Sequence, residues 1–174
     1  MGDIFDNRPS EIADYLIRLE KVASPFTVRI EDAVVAGDRE AQFELTRALT
    51  GALADKASSV QLSRDEWCNT VEDTKAAVDA SAVHVIQIKT PSLGALHNSV
   101  EAALYCKRNG VMVFLGGACN GTDQSTRVTV HIAPATQADL VYNKPGMGVD
   151  EGYIIVFREM QRTLTVLQSR KEVS

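Results

Sequence analysis

The sequence predicts an α/β domain built on parallel strands, and three observations carry that expectation. Short apolar runs of strand character alternate with longer runs of helical period from residue 9 onward. The connections are short, with no linker or low-complexity segment between them. One run, Val111-Met112-Val113-Phe114-Leu115, is apolar throughout, as expected of a strand covered on both faces. Strict alternation of this kind builds either a doubly wound sheet or a barrel, and both place their chemistry at the carboxyl ends of the strands.

Each element has its own signal. The first helix starts at Pro9, a residue that a first turn accepts, and carries Ile12, Tyr15, Leu16, Leu19 and Val22 at helical spacing up to Ser24-Pro25. Residues 27–30 alternate as a short strand. Gly37-Asp38 then opens a second helix with Leu45, Leu49, Ala52 and Leu53 on one face, and residues 60–65 form the next strand. Asn69-Thr70, with Asp73 three residues on, is a capping arrangement for a short helix ending near Ala80.

Residues 84–89 are a third strand, of β-branched character, and residues 94–109 a helix with Leu96, Val100, Ala103 and Leu104 inward and Gly110 as its stop. After the apolar run at 111–115, residues 126–132 alternate like a strand through Val128, Val130 and Ile132. A parallel sheet needs a crossover at this point, so a helix over 124–137 is the expectation. Residues 140–143 make a last short strand. Residues 149–168 make a long helix whose apolar face is Tyr153, Val156, Phe157, Met160, Leu164 and Leu167.

Bulk properties exclude several function classes. The formal charge of −5 leaves no excess of cations for a phosphate backbone, so nucleic acid is not an expected partner. No apolar run approaches a membrane span, and the start Met1-Gly2-Asp3-Ile4 lacks the basic and apolar regions of a secretory signal. Cys68, Cys106 and Cys119 form no paired motif, which fits a reducing, cytoplasmic setting. The 174 residues suffice for a real core but fall short of the roughly 200–250 that a closed α/β barrel usually needs.

Three successive units deliver charged residues to one rim: Glu31, Asp65 and Lys89, spaced 34 and 24 residues apart. Taken singly, each acid reads as a surface residue or helix cap, and Lys89 as a lysine with its head in water. Their recurrence at equivalent strand ends favours a site instead. Carboxylate oxygens without a His or Cys cluster suit Mg2+ rather than zinc. The stem of Lys89 leaves the apolar end Val85-Ile86-Gln87-Ile88, so its ammonium is expected to give up a proton more readily than in water. Gln87 shares its face. Together these residues suit metal-assisted abstraction of a proton next to a carboxylate.

Gly116-Gly117-Ala118-Cys119-Asn120-Gly121 matches no nucleotide-binding pattern. It reads either as a loop meeting a small carboxylate or as an ordinary βα turn. The run from Lys144 to Gly148 leads to a helix N-terminus that can hold an anion or merely form the turn. His84, His97 and His131 have no evident partner in sequence and read as structural.

The runs Asp65-Glu66-Trp67-Cys68-Asn69-Thr70, Gln87-Ile88-Lys89-Thr90-Pro91, Gly116-Gly117-Ala118-Cys119-Asn120 and Lys144-Pro145-Gly146-Met147-Gly148-Val149-Asp150-Glu151-Gly152 resemble methylaspartate ammonia-lyase, over essentially the whole chain. The resemblance implies a partial TIM-like barrel of the enolase superfamily, with about five strand-helix units preceded by one helix. It implies one incomplete domain over residues 1–174, without the amino-terminal capping domain or the first barrel strands. The implied activity is that of a carbon–nitrogen lyase, eliminating ammonia from L-threo-3-methylaspartate to give mesaconate in glutamate degradation.

Carried over by motif, Lys89 resembles the general base, Glu31 and Asp65 two of three magnesium ligands, and Gln87, Ala118 and Cys119 the substrate contacts. The third ligand and a second base, a histidine, belong to strands that would precede Met1. A homodimer, or association with a chain supplying the missing barrel half, is therefore expected. Family members usually read Glu-Gly-Pro where this chain has Glu31-Asp32-Ala33, and Thr, Tyr and Leu where it has Ala118, Phe114 and Tyr142. Asp32 thus bears on metal geometry and Tyr142 on substrate size. Two alternatives stay open: a non-catalytic truncated homologue or self-associating fragment, and another enolase-superfamily reaction such as epimerisation.

Overall fold

Residues 1–80, 83–119, 121–142 and 148–171 are described in a computed structural model. Helix and strand alternate throughout: α1 (Pro9–Ala23), β1 (Arg29–Glu31), α2 (Arg39–Asp55), β2 (Gln61–Arg64), α3 (Val71–Asp79), β3 (Val85–Lys89), α4 (Leu96–Arg108), β4 (Met112–Gly116), α5 (Asp123–Thr136), β5 (Leu140–Tyr142) and α6 (Val149–Lys171). The predicted caps form as the sequence implies. Pro9 occupies the first turn of α1, the Asp38 side chain accepts from the Ala41 amide, and the Thr70 hydroxyl accepts from the Asp73 amide. Of the expected last strand, Asn143 lies outside the described residues.

All five strands are parallel, in the spatial order β1-β2-β3-β4-β5. That sequential order separates the two architectures left open by the sequence. A doubly wound sheet reverses its strand order at a switch point, whereas a barrel adds each strand beside the last. The chain is a half-barrel. Ile86, Ile88, Val113 and Leu115 pack with Ala77, Ala102, Ala103, Cys106 and Ile132 of the helices. Leu62 packs with Ile12, Leu16, Leu49 and Leu53 of α1 and α2. The opposite face of the sheet carries Gln87 and Lys89 together with Val85, Met112 and Phe114.

The segment with strand-like alternation is helical, as α5. Its β-branched threonines fit because their hydroxyls bond within the helix: Thr126 to the Thr122 carbonyl, Thr129 to Ser125 and Thr136 to Ile132, all at 2.9 Å. Two apolar faces depart from expectation. In α4, Leu96 and Leu104 are exposed, and the buried positions are Ser99, Ala102, Ala103 and Cys106. Small residues face the sheet because the helix lies close against it. In α6, Tyr153, Phe157, Met160, Leu164 and Leu167 are exposed, while Glu159 is 2% exposed. Among the described residues, α6 packs mainly on α5, so most of its stripe has nothing to cover it.

Glu159 is the fulcrum of that packing. Its carboxylate receives Arg127 of α5 at 2.9 Å, His131 of α5 at 2.8 Å and Arg162 of its own helix at 2.5 Å. His131 therefore has a partner that the sequence did not reveal. The Arg162 hydrogen bond, acting against burial and aided by those of His131 and Arg127, holds the Glu159 carboxyl down at about 2. A depressed carboxyl stabilises the fold at pH values above its ordinary range near 4.5, and that stabilisation is lost as pH falls toward about 2. Glu159→Gln leaves the cations facing one another, and urea unfolding at pH 7 is expected to show a loss of about 1–3 kcal/mol. The gap between variant and native protein should narrow below pH 4.5.

Candidate metal and substrate site

Strand register decides which side chains meet. Glu31 pairs with Ser63, Ser63 with Val85, Lys89 with Gly116, and Gly116 with Tyr142. Residues two apart share a face, so Gln87 and Phe114 lie on the same open side as Lys89 and Gly116. Asp65 follows β2 directly and is 7% exposed. Its carboxylate meets the Lys89 ammonium at 2.5 Å. The structure thus brings Glu31, Asp65 and Lys89, from three adjacent strand ends, to one rim.

Asp32 joins them. Ligand oxygens of Glu31, Asp32 and Asp65 lie within 4.8 Å of one another. Loss of water raises the pKa of Glu31, and the charges of Asp65 and Asp32 raise it further. Burial also raises Asp32, against hydrogen bonds from the amides of Glu66 and Asp65. One Asp32 oxygen, Oδ1, is buried with no partner. The Glu31 and Asp65 carboxylates, crowded beside Asp32 with its buried unpaired oxygen, are a donor set that suits a hard divalent cation, so the residues present fit Mg2+.

The charge state of Lys89 corrects the sequence expectation. Burial does work against its ammonium, but the hydrogen bond to Asp65 and the attraction of Asp65, Glu66 and Glu31 outweigh it, and the pKa is raised. An apolar strand end predicts an ammonium that loses its proton readily only when no carboxylate waits beyond it.

Beside the carboxylates, Glu31, Gln87, Phe114, Gly116, Gly117, Ala118, Cys119 and Tyr142 line an open cavity of about 590 Å³. Gln87, Ala118 and Cys119, from two separate sequence runs, therefore share one cavity with Glu31. Gly116 makes room for Gln87: a Cβ there would lie 2.7 Å from Gln87 Cδ and 2.8 Å from Cγ. Asn120 and residues 144–147 of the quoted motifs lie outside the described residues. His84 is structural as expected, its Nδ1 accepting from the Leu62 amide at 3.1 Å. Sequence reasoning named Asp32 only as a neighbour of a ligand. The available signal was an acidic doublet at a strand end.

A family model for the methylaspartate ammonia-lyase C-terminus matches residues 1–169. The chain belongs to this family. It is 46% identical over 170 residues to methylaspartate ammonia-lyase 2 of Carboxydothermus hydrogenoformans, and 45% identical over 171 residues to methylaspartate ammonia-lyase of Clostridium tetanomorphum. In both cases the match takes in 98% of this chain but 41% of the relative. The family chain thus spans about 41% of the length of these curated relatives.

Solved structures agree. The magnesium complex of β-methylaspartase from Clostridium tetanomorphum superposes with a TM-score of 0.92 at 45% identity, over 97% of this chain and 41% of that one. The Citrobacter amalonaticus enzyme containing (2S,3S)-3-methylaspartic acid gives 0.92 at 45% identity, over 96% and 41%. A mandelate racemase/muconate lactonizing protein from Herpetosiphon aurantiacus, 16% identical, shares the fold with a TM-score of 0.63 over 79% of this chain and 36% of that one. The half-barrel is the carboxyl-terminal barrel portion of the methylaspartate ammonia-lyase fold, within the enolase superfamily.

The Gly116 contact is directly testable. Gly116→Ala must push the nearly buried Gln87 aside, and urea denaturation is expected to show a loss of about 1–3 kcal/mol. Gln87→Ala in the same background should recover most of it.

Proposed function

We propose that this chain provides the metal-binding and base-bearing part of a Mg2+-dependent ammonia-lyase acting on a 3-methylaspartate-type amino-dicarboxylate. The observation that supports the reading best is the meeting of Glu31, Asp32 and Asp65 within 4.8 Å, with Lys89 at 2.5 Å from Asp65. Glu31, one of these groups, also lines the cavity that holds Gln87, Ala118 and Cys119. Glu31 and Asp65 are the residues that would hold the metal. When bound, it supplies Lewis-acid stabilisation of charge developing on a substrate carboxylate.

Lys89 is the base, taking the proton from the carbon beside the distal carboxylate, and ammonia leaves from the adjacent carbon. To act so, Lys89 must give up its bond to Asp65, since that bond is what retains its proton. Gln87, placed beside Lys89 on the same strand, and the Ala118-Cys119 turn position the substrate's polar groups. Tyr142 and Phe114 form the aromatic wall that limits the size of its alkyl side.

The remaining βα units of the barrel come from outside residues 1–174, on the same polypeptide or on another. Among the described residues, β1 and β5 each have one strand neighbour, and the stripe of α6 stands exposed at the β5 edge. Such complementation is tested by combining this chain with the part of the Clostridium tetanomorphum enzyme that precedes the matched region. With Mg2+ and 3-methylaspartate, absorbance of the unsaturated diacid should appear, and Lys89→Ala should lower the rate about 10²- to 10⁴-fold. An inactive mixture, where the relative's own carboxyl-terminal part restores activity, defeats the proposal.

A further inference from the structure

We infer that Asp32 is a positioning residue for the cation site, a clip that fixes Asp65 relative to Glu31. The inference rests on the reading of Glu31 and Asp65 as metal ligands. The ladder between β1 and β2 ends at the pair Glu31 and Ser63, so Asp65 lies two residues beyond the last register pair. The Asp32 amide still donates to the Ser63 carbonyl at 3.0 Å. Then the chain turns away with φ +42° at Asp32, and Ala33 and Val34 pass into the core at 5% and 2% exposure. From that point β1 offers β2 no further backbone acceptor.

The Asp32 side chain takes over that role. Its Oδ2 accepts from the Asp65 amide at 3.3 Å and from the Glu66 amide at 3.0 Å. Lys89 holds the Asp65 carboxylate from the β3 side. Asp65 is thus held at its backbone by one neighbouring strand end and at its side chain by the other. The left-handed backbone is one that glycine adopts most freely, yet the position carries an aspartate, whose carboxylate offsets the conformational cost by accepting from two amides, that of Asp65 being the next donor of the β2 ladder toward β1. One Asp32 oxygen serves both amides, so neither Glu31 nor Asp65 spends a carboxylate oxygen on them.

Two substitutions separate the clip from a direct electrostatic role. Asp32→Asn keeps an acceptor for both amides and tolerates the positive φ, whereas Asp32→Gly removes the acceptor and eases the backbone. In hydrogen exchange on the full, metal-free chain, the Asp65 and Glu66 amides should exchange about tenfold faster in Asp32→Gly and within about threefold of native in Asp32→Asn. In calorimetric titration with Mg2+, affinity should fall about 10- to 100-fold in Asp32→Gly and stay within about threefold in Asp32→Asn.

Unaltered exchange in Asp32→Gly overturns the clip. Equal loss of Mg2+ affinity in both variants overturns it in favour of direct charge on the ion. A native chain that takes up no Mg2+ while showing the exchange difference overturns the metal reading and the role given to the clip with it. The exchange data then show that the functional reading, and not the hydrogen bonding, is what failed.

Discussion

The register of the parallel ladder is the constraint on which the rest of the structure depends. Ser63 sits opposite both Glu31 and Val85, and Lys89 opposite Gly116. A slip of one residue in any of these pairings would send Lys89 or Glu31 toward the helices and Ile88 or Ile30 toward the open side. Burial prevents it. Ile86, Ile88, Val113 and Leu115 are all 0% exposed against α3, α4 and α5, and moving one strand by one residue would expose them together. The buried helix-facing half of the strands therefore fixes the other half, and the geometry of the charged rim is a consequence of the core on the other side.

Much of this was readable from residue pattern. The alternation of strand and helix, the caps at Asp38 and Thr70 and the gathering of Glu31, Asp65 and Lys89 at strand ends follow from local sequence, because period, cap chemistry and strand polarity are local properties. The helix at α5 was recovered only through topology. Its threonines and valines read as a strand until hydroxyl bonding within the helix is considered. What failed depended on pairings distant in sequence. Glu159 meets Arg127 and His131 across about thirty residues, spacings of 32 and 28, and no periodicity announces such a pairing. The outward turn of Leu96 and Leu104 depends on how closely α4 approaches the sheet, which the small residues Ser99, Ala102 and Ala103 permit.

The charge balance of the rim is where local reasoning was most misleading. From the strand alone, Lys89 emerges from apolar surroundings and should be a weakened cation. In the folded chain the neighbouring strand supplies Asp65, and with it enough negative charge to reverse the sign of the shift. The acids are perturbed in the complementary sense. Glu31 and Asp32 are both raised, first by loss of water, and proximity to Asp65 adds to it. One cation among three close carboxylates leaves the group short of positive charge. That imbalance, rather than the mere presence of acids, is what distinguishes the rim from an ion-paired surface such as the Glu159 knot, where three basic groups surround one carboxylate.

The same contrast explains why the two ends of the half-barrel differ. At the β1 end, Ala33 and Val34 fold back into the cluster made by α1, α2 and β2, so the edge strand is flanked by buried apolar side chains. At the β5 end, α6 is fastened to α5 through Glu159, while most of its apolar stripe is exposed. An ion knot holds a helix in orientation without consuming the apolar surface that a further element would need. Tyr153 and Phe157 already stack on each other at 5.9 Å with both rings largely exposed, a pair ordered in advance of any cover. The β5 side is therefore the end at which added barrel units would bury new apolar area, whereas the β1 side would gain chiefly backbone pairing.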